Sequence, residues 1–431
     1  MDEALLTAVF LAVLFFLLGS GIWVGLALLG VAFVGMELFT SRPAGDAMVT
    51  TIWTASSSWT LTALPLFIWM GEILFRTRLS ENLFRGLAPW LARLPGGLLH
   101  VNVAGCALFA AISGSSAATV ATVGRMSIPE LRARNYSEKM TIGTLAGAGT
   151  LGLLIPPSII LIVYGVTVNE SIAKLFIAGI LPGIMLALLF MSFIAIRALI
   201  FPGTMPEREA ALPLRDKIRL SIHLVPVICL ILAVLGSIYT GIATATEAAV
   251  LGVAGGLVLS TAQGSLTRES FVESLLGATR TSSMIALILA GSAFLSLAMG
   301  FTGLPRKLAE GIGALELAPL ALILMLTVFY IVLGCFLDGI STVVLTMAVV
   351  EPMIREAGID LLWFGIYLVI VVEMAQITPP VGFNLFVLQG MTGHDIGFIA
   401  RAALPMFFIM CIGVACVIAF PEIVTFLPAR L

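Results

Sequence analysis

The chain has 431 residues, 60% of them hydrophobic and 11% charged, with a formal net charge of −2 and a mean hydropathy of +1.13. Soluble domains carry about 25% charged residues, so this chain cannot cover a water-facing surface of ordinary size, and its near-neutral balance argues against a nucleic-acid partner. Facing a lipid bilayer, a backbone must satisfy itself within helices or a closed barrel; long continuous apolar runs, not alternation, predict an all-α polytopic membrane protein.

The first apolar stretch, 4–19, lacks a basic leader and a cleavage site, so it reads as a retained helix. Spans follow at 21–38 and 50–76, the second interrupted by Ser56, Ser57 and Ser58. The segment 80–94 carries Arg85 and Arg93 on a polar side and predicts an interfacial helix. An apolar run from 98 meets Ser113-Gly114-Ser115-Ser116 and turns charged by Arg125, the pattern of a re-entrant hairpin over 98–136. A span over 140–168 has Pro156-Pro157 at its centre, another covers 172–197, and the polar stretch 201–219 is a linker. The plan then recurs. Spans are expected near 218–240, 244–262 and 281–303, then a hairpin over 317–356 turning at Asp338-Gly339. A span over 360–391 is broken at Pro379-Pro380, and a final one covers 396–427.

Pro129, Pro156 and Pro157 map onto Pro352, Pro379 and Pro380 with one offset of 223, which marks 1–200 and 220–431 as copies of one unit. Scaffold spans fall in 1–76 and 220–303. With re-entrant hairpins each unit crosses five times, an odd number, so the second enters from the opposite face: an inverted-topology repeat of the kind used by secondary transporters. Placing 201–219 in the cytoplasm puts sixteen lysines and arginines inside and six outside. That is the positive-inside bias, and it sets both termini outside.

Four places break the rule that backbone in hydrocarbon is hydrogen-bonded: the two hairpin tips and the two Pro-Pro interruptions. They must be buried in protein or line a watery cavity. Ser113, Ser115 and Ser116 offer hydroxyls at the first tip, or belong to a small-residue packing seam. Asp338, with Gly339, Ser341 and Thr342, offers a carboxylate for a cation, or caps the hairpin through backbone amides. Paired prolines remove donors and unwind the helix, or merely kink it; if unwound, Gln376, Thr378 and Asn384 line the cavity. Glu247 reads as a helix cap, and Glu72 and Glu373 are open. Five cysteines and three histidines show no metal or redox spacing, and no nucleotide loop, nucleophile elbow or catalytic cluster is present. The expectation is a transporter, not an enzyme, with no organic cofactor.

The string Ala111-Ile112-Ser113-Gly114-Ser115-Ser116-Ala117-Ala118-Thr119 resembles the first hairpin of the large membrane subunit of tripartite ATP-independent periplasmic (TRAP) transporters. So do Gly152-Leu153-Leu154-Ile155-Pro156-Pro157-Ser158, Thr246-Glu247-Ala248-Ala249 and Thr378-Pro379-Pro380-Val381-Gly382-Phe383-Asn384. Ala117 and Ala348 depart from that pattern, standing where prolines are usual. The resemblance covers essentially the whole chain. It implies Na+-coupled import of a small organic anion across the bacterial inner membrane, with an elevator-type motion of hairpins and broken helices against a scaffold. It implies two partners, a periplasmic substrate-binding protein and a small four-helix membrane subunit, for which no span is left over here. It maps one Na+ site onto Ser113, Ser115, Ser116 and Gly149, and a second onto Asp338, Gly339, Ser341 and Thr378. Substrate contacts are expected from Ser115, Ser116, Ser158, Ser341, Thr342, Gln376 and Asn384. No arginine or lysine falls in the segments expected to line the cavity, so C4-dicarboxylates, sugar acids and keto acids fit equally. A stand-alone Na+/carboxylate symporter needing no binding protein is the alternative.

Overall fold

The structure, a computed structural model, describes residues 3–76, 79–206, 213–303 and 318–430. Arg78, Arg208, Arg306, Lys307 and position 317 lie outside the described residues. Among the described residues every regular element is helical.

The first helices are α1 (Glu3–Gly19), α2 (Val24–Phe39), α3 (Ala44–Ser56) and α4 (Ala63–Phe75). The three serines end α3, and a 3-10 turn at Trp59–Thr62 leads into α4 at an angle of 57°. Helix α5 (Leu79–Leu91) is amphipathic. The hairpin arms are α6 (Leu99–Ser113) and α7 (Ser116–Ala133). The broken span comprises α8 (Glu138–Gly149), the single turn α9 (Leu151–Leu154) and α10 (Ile159–Val168), bent by 41°. Helix α11 (Ile172–Ile200) completes this part, and α12 (Leu214–Ser221) then meets α13 (Val225–Tyr239) at 52°. After these come α14 (Ala245–Ala262), α15 (Arg268–Thr302), α16 (Pro319–Gly334), α17 (Gly339–Glu356), α18 (Leu361–Gln376), α19 (Phe383–Thr392), α20 (Ile396–Ala419) and the turn α21 (Glu422–Thr425). Helices α11, α14, α15 and α20 are each long and apolar enough to cross a membrane, and the three bent pairs meet the same test when joined.

Two features differ from the sequence reading. The span expected over 281–303 belongs to a helix that starts at Arg268, where Thr267 and Ser270 cap each other reciprocally. The polar linker is helical at its end, where α12 docks on α5. Trp90 Nε1 donates to the Ser221 hydroxyl at 2.7 Å, and the Lys217 ammonium lies 5.4 Å from the Trp90 ring centroid.

The long α15 organises the outer helices and packs on α2, α3 and α4. Its contact with α2 is closest at Gly291, where an added Cβ would stand 2.5 Å from the Gly25 carbonyl oxygen. Small residues let helices approach in this way when apolar burial alone cannot distinguish protein from lipid. Arg42, ahead of α3, lies over the Phe301 ring, while Arg76, after α4, pairs with Glu273. Those anchors are 28 residues apart on α15, roughly 42 Å of helix, so the bent α3–α4 pair runs its length.

Hairpins and broken spans form the interior. Every residue of α18 from Trp363 to Gln376 is buried, as is every residue from Met140 to Leu154 across α8 and α9. A helix that is apolar all round belongs in a core, whereas α13 and α16 leave one face uncovered. Asn102 of α6 ties the first hairpin to α8, donating to the Thr144 hydroxyl at 3.0 Å and to the Thr141 carbonyl at 3.3 Å. Helix α20 packs on α8 and α11, and α19 on α7.

Candidate functional site

At the first tip, α6 stops because Gly114 turns left-handed, with φ +60°. Ser115 is extended and starts α7, its hydroxyl accepting from the Ala118 amide at 3.4 Å. Thr119 Oγ1 donates to the Ser115 carbonyl at 2.7 Å, which uses its one proton, so Ser113 Oγ must donate in the 2.8 Å contact with Thr119.

This tip is locked to the Pro156-Pro157 break. The Ile159 amide donates to the Gly114 carbonyl at 3.3 Å, and a Cβ on Gly114 would lie 2.8 Å from the Pro157 oxygen. On α9, a Cβ on Gly152 would meet the Ser115 carbonyl oxygen at 2.6 Å and Thr119 Oγ1 at 2.7 Å. Gly149 packs against Val120 of α7. Ser158 caps α10 and donates to the Leu153 carbonyl, one of the groups freed by the prolines. Both Pro-Pro bonds, Pro156-Pro157 and Pro379-Pro380, are cis.

The second tip repeats the device with different atoms. Asp338 Oδ2 accepts from the Ile340 and Ser341 amides, both at 3.1 Å, and starts α17. Gln376, the last residue of α18, donates through Nε2 to the Gly334 and Leu337 carbonyls at 3.3 and 3.2 Å, which satisfies the end of α16. The Gly382 amide donates to the Cys335 carbonyl at 3.3 Å. In both copies, then, the second residue after the prolines holds a carbonyl of its own hairpin tip. Thr378 donates to the Met374 carbonyl at 2.7 Å, and Ser341 and Thr342 are buried.

The two assemblies meet. Gly339 lies against Val372 of α18 and against Leu153 and Ile160 of the first broken span. Glu373, 1% exposed on α18, faces the Ser116 hydroxyl, yet neither carboxylate oxygen has a well-formed hydrogen bond. Asn384, fully buried at the start of α19, leaves both side-chain polar atoms without a partner. The sequence left Glu373 open; the signal for it was a carboxylate one turn from Gln376 in an otherwise apolar helix. Glu247 closes a capping box with Thr244, its Oε2 2.8 Å from the Thr244 amide.

A cavity of about 360 Å³ opens between α4 and the first tip. Its walls include Gly71, Glu72 and Phe75 of α4, Ser113 and Ser115 of the tip, the α7 alanines 117, 118 and 121, and Phe383. Of the residues expected to touch substrate, Ser115 lines this cavity, while Ser116, Ser158, Ser341, Thr342, Gln376 and Asn384 do not. Glu72 is held by Arg76 at 3.4 Å. Among the described residues no group of three His, Cys, Asp or Glu side chains could hold a metal ion, so any cation here would depend on hydroxyls, carbonyls and single carboxylates.

A model of the family described as tripartite ATP-independent periplasmic transporter, DctM component, matches residues 10–423. The chain is 32% identical over 420 residues to the isethionate TRAP transporter permease protein DctMQ of Oleidesulfovibrio alaskensis, covering 96% of this chain and 64% of that protein. It is 32% identical over 382 residues to the C4-dicarboxylate TRAP transporter large permease protein DctM of Pseudomonas aeruginosa, covering 88% and 86%. To the sialic acid TRAP transporter permease protein SiaT of Haemophilus influenzae it is 28% identical over 374 residues, covering 86% and 60%. These relatives are named as permeases, not enzymes. A similar fold is found in the Alcanivorax borkumensis YdaH transporter, with TM-score 0.62, 14% identity and 88% of each chain covered.

Proposed function

Because the chain belongs to the DctM family of tripartite ATP-independent periplasmic transporters, we propose that it imports a small organic acid across the bacterial inner membrane, driven by a Na+ gradient. A periplasmic substrate-binding protein delivers the acid, and a small four-helix membrane subunit accompanies this chain. The relatives' names, which cover isethionate, C4-dicarboxylates and sialic acid, support an organic acid as cargo.

The observation that carries the Na+ reading is Glu373. A buried carboxylate with no ion pair, and with only the Ser116 hydroxyl facing it, is costly to ionise, by several kcal/mol or more, and the described residues around it supply no cation. A Na+ held by Ser113, Ser115, Ser116 and Gly149 would stand on the Ser116 side of that carboxylate. The second cation would use Asp338, Gly339, Ser341 and Thr378, with Asp338 contributing its remaining oxygen while Oδ2 holds the cap. Hydroxyls, backbone carbonyls and a carboxylate suit a hard monovalent ion. Both tips are hydrogen-bonded to their broken spans, so tip and span can move as one body. We assign the hairpins and broken spans to an elevator-type transport domain, related as an inverted repeat, that slides past α2–α4 and α13–α15, with the 201–219 linker cytoplasmic.

The test is uptake of labelled succinate, N-acetylneuraminate and isethionate into proteoliposomes holding the chain and its small subunit, under an inward Na+ gradient, with and without the binding protein. The reading expects uptake that needs both and that Asp338→Ala abolishes. Na+-driven uptake without the binding protein would move the chain to the stand-alone symporters, and uptake indifferent to Na+ would remove the coupling.

A further inference from the structure

Among the described residues, one cation beside the cavity has no carboxylate partner. Arg125, on α7, is exposed, and its guanidinium lies over the Phe75 ring of α4, 5.1 Å from the centroid. Phe75 is a wall of the cavity. Ala117, Ala121 and Arg125 follow one another four residues apart, so they share one face of α7, and both alanines line the cavity. Helical side chains lean toward their own N-terminus, which carries the guanidinium from its Cα toward Ala121 and the tip. Arg76, by contrast, is committed to Glu72 and Glu273.

We propose that Arg125, laid on the Phe75 ring at the edge of this cavity, is the group that recognises the acidic head of the transported anion. The inference rests on the organic-acid reading above and adds the residue that selects for charge. A guanidinium presents a planar fork that matches two oxygens of a carboxylate or sulfonate, and an aromatic face fixes that plane without neutralising it. At the far end of the cavity, the N-terminus of α7 at Ser115 offers partial positive charge and free amides to the rest of the ligand. Ser115 and Arg125 are ten residues apart, about 15 Å along the helix, and the lean of the arginine shortens that gap. Because Phe75 sits on α4 and Arg125 on the hairpin, the anion head would bind where the two bodies face each other. An arginine serving only to fix orientation in the membrane would lie at the same depth, so the test must separate charge from recognition.

The full chain is purified in detergent with its small subunit, and thermal unfolding is followed while succinate, isethionate or N-acetylneuraminate is titrated in Na+ and in choline buffer. Wild type is compared with Arg125→Gln and Arg125→Lys. The proposal expects at least one of the three to stabilise wild type in Na+, with its apparent affinity weakened about tenfold or more in Arg125→Gln and less in Arg125→Lys. The stabilisation by Na+ alone should be the same in all three proteins. An anion response in Arg125→Gln equal to that of wild type overturns the proposal while leaving the Na+-coupled reading intact. Wild type unmoved by all three anions overturns it together with the organic-acid reading. Anion binding that depends on Arg125 but not on Na+ upholds this inference and removes the coupling.

Discussion

A helix cap and a cation ligand ask different things of Asp338. The cap needs one acceptor oxygen, which Oδ2 supplies to two amides; a cation site needs the charge. Asparagine retains the acceptor and loses the charge. Asp338→Ala should therefore lower stability in K+ by about 1 kcal/mol and Asp338→Asn by only a few tenths, while both lose the stabilisation that Na+ gives wild type. Thermal unfolding in K+ and Na+ reads both effects, and an undiminished Na+ response in Asp338→Asn would leave the residue a cap alone. Glu373 invites the opposite experiment. Its carboxyl group is buried with no ion pair among the described residues, so if it is ionised in K+, Glu373→Gln should unfold at a higher temperature than wild type, because a neutral amide then replaces an unpaired charge. The same variant should gain less from Na+. Equal midpoints in K+ would mean that the carboxyl group is already neutral or compensated there.

The elements owe their breaks to few residues, and these were the most legible part of the chain. Proline pairs stop a helix by local sterics, and Ser-Gly and Asp-Gly turn one, so 156–157, 379–380, 114 and 338–339 could be read without a partner segment. Less legible was what the breaks touch. Gln376 was expected in a cavity, and its Nε2 holds two carbonyls of the second hairpin; that pairing joins residues about forty positions apart, which no local pattern reports. The start of α15 was hidden for a related reason. Glu273 and Ser274 fall between the spans expected at 244–262 and 281–303, and they face Arg76 and Trp69, so their polarity serves an interface. The structure suggests how firmly tip and break are joined. Gly114→Ala puts a Cβ at positive φ and 2.8 Å from the Pro157 oxygen, at a cost of at least about 1–2 kcal/mol. Gln376→Leu leaves one buried and one half-buried carbonyl unpaired, at about 1–3 kcal/mol for a fully orphaned group. Thermal unfolding should rank both below wild type, and Gln376→Glu, which returns acceptors and no donor, should not rescue the second.

At the scale of the molecule, the question is whether the hairpins move past α4 and α15 or stay fixed to them. Arg125 shows why sequence could not frame this. Its meaning comes from Phe75, fifty positions earlier on another helix, whereas the sequence reading counted it only among the charges on the cytoplasmic side. The Ser292 hydroxyl of α15 donates to the Val344 carbonyl of α17 at 2.8 Å, and one hydrogen bond of this sort, worth about 1 kcal/mol net, can be broken at each cycle. A covalent link cannot. With the five native cysteines replaced, Ser292→Cys combined with Val344→Cys should be joined by mercury or an oxidant. Na+-driven uptake should then stop and return on reduction, and each single variant should transport normally after the same treatment. Uptake that continues while gel mobility shows the link complete would mean that α17 does not slide past α15. The elevator would then give way to local opening of the hairpin tips over a static frame.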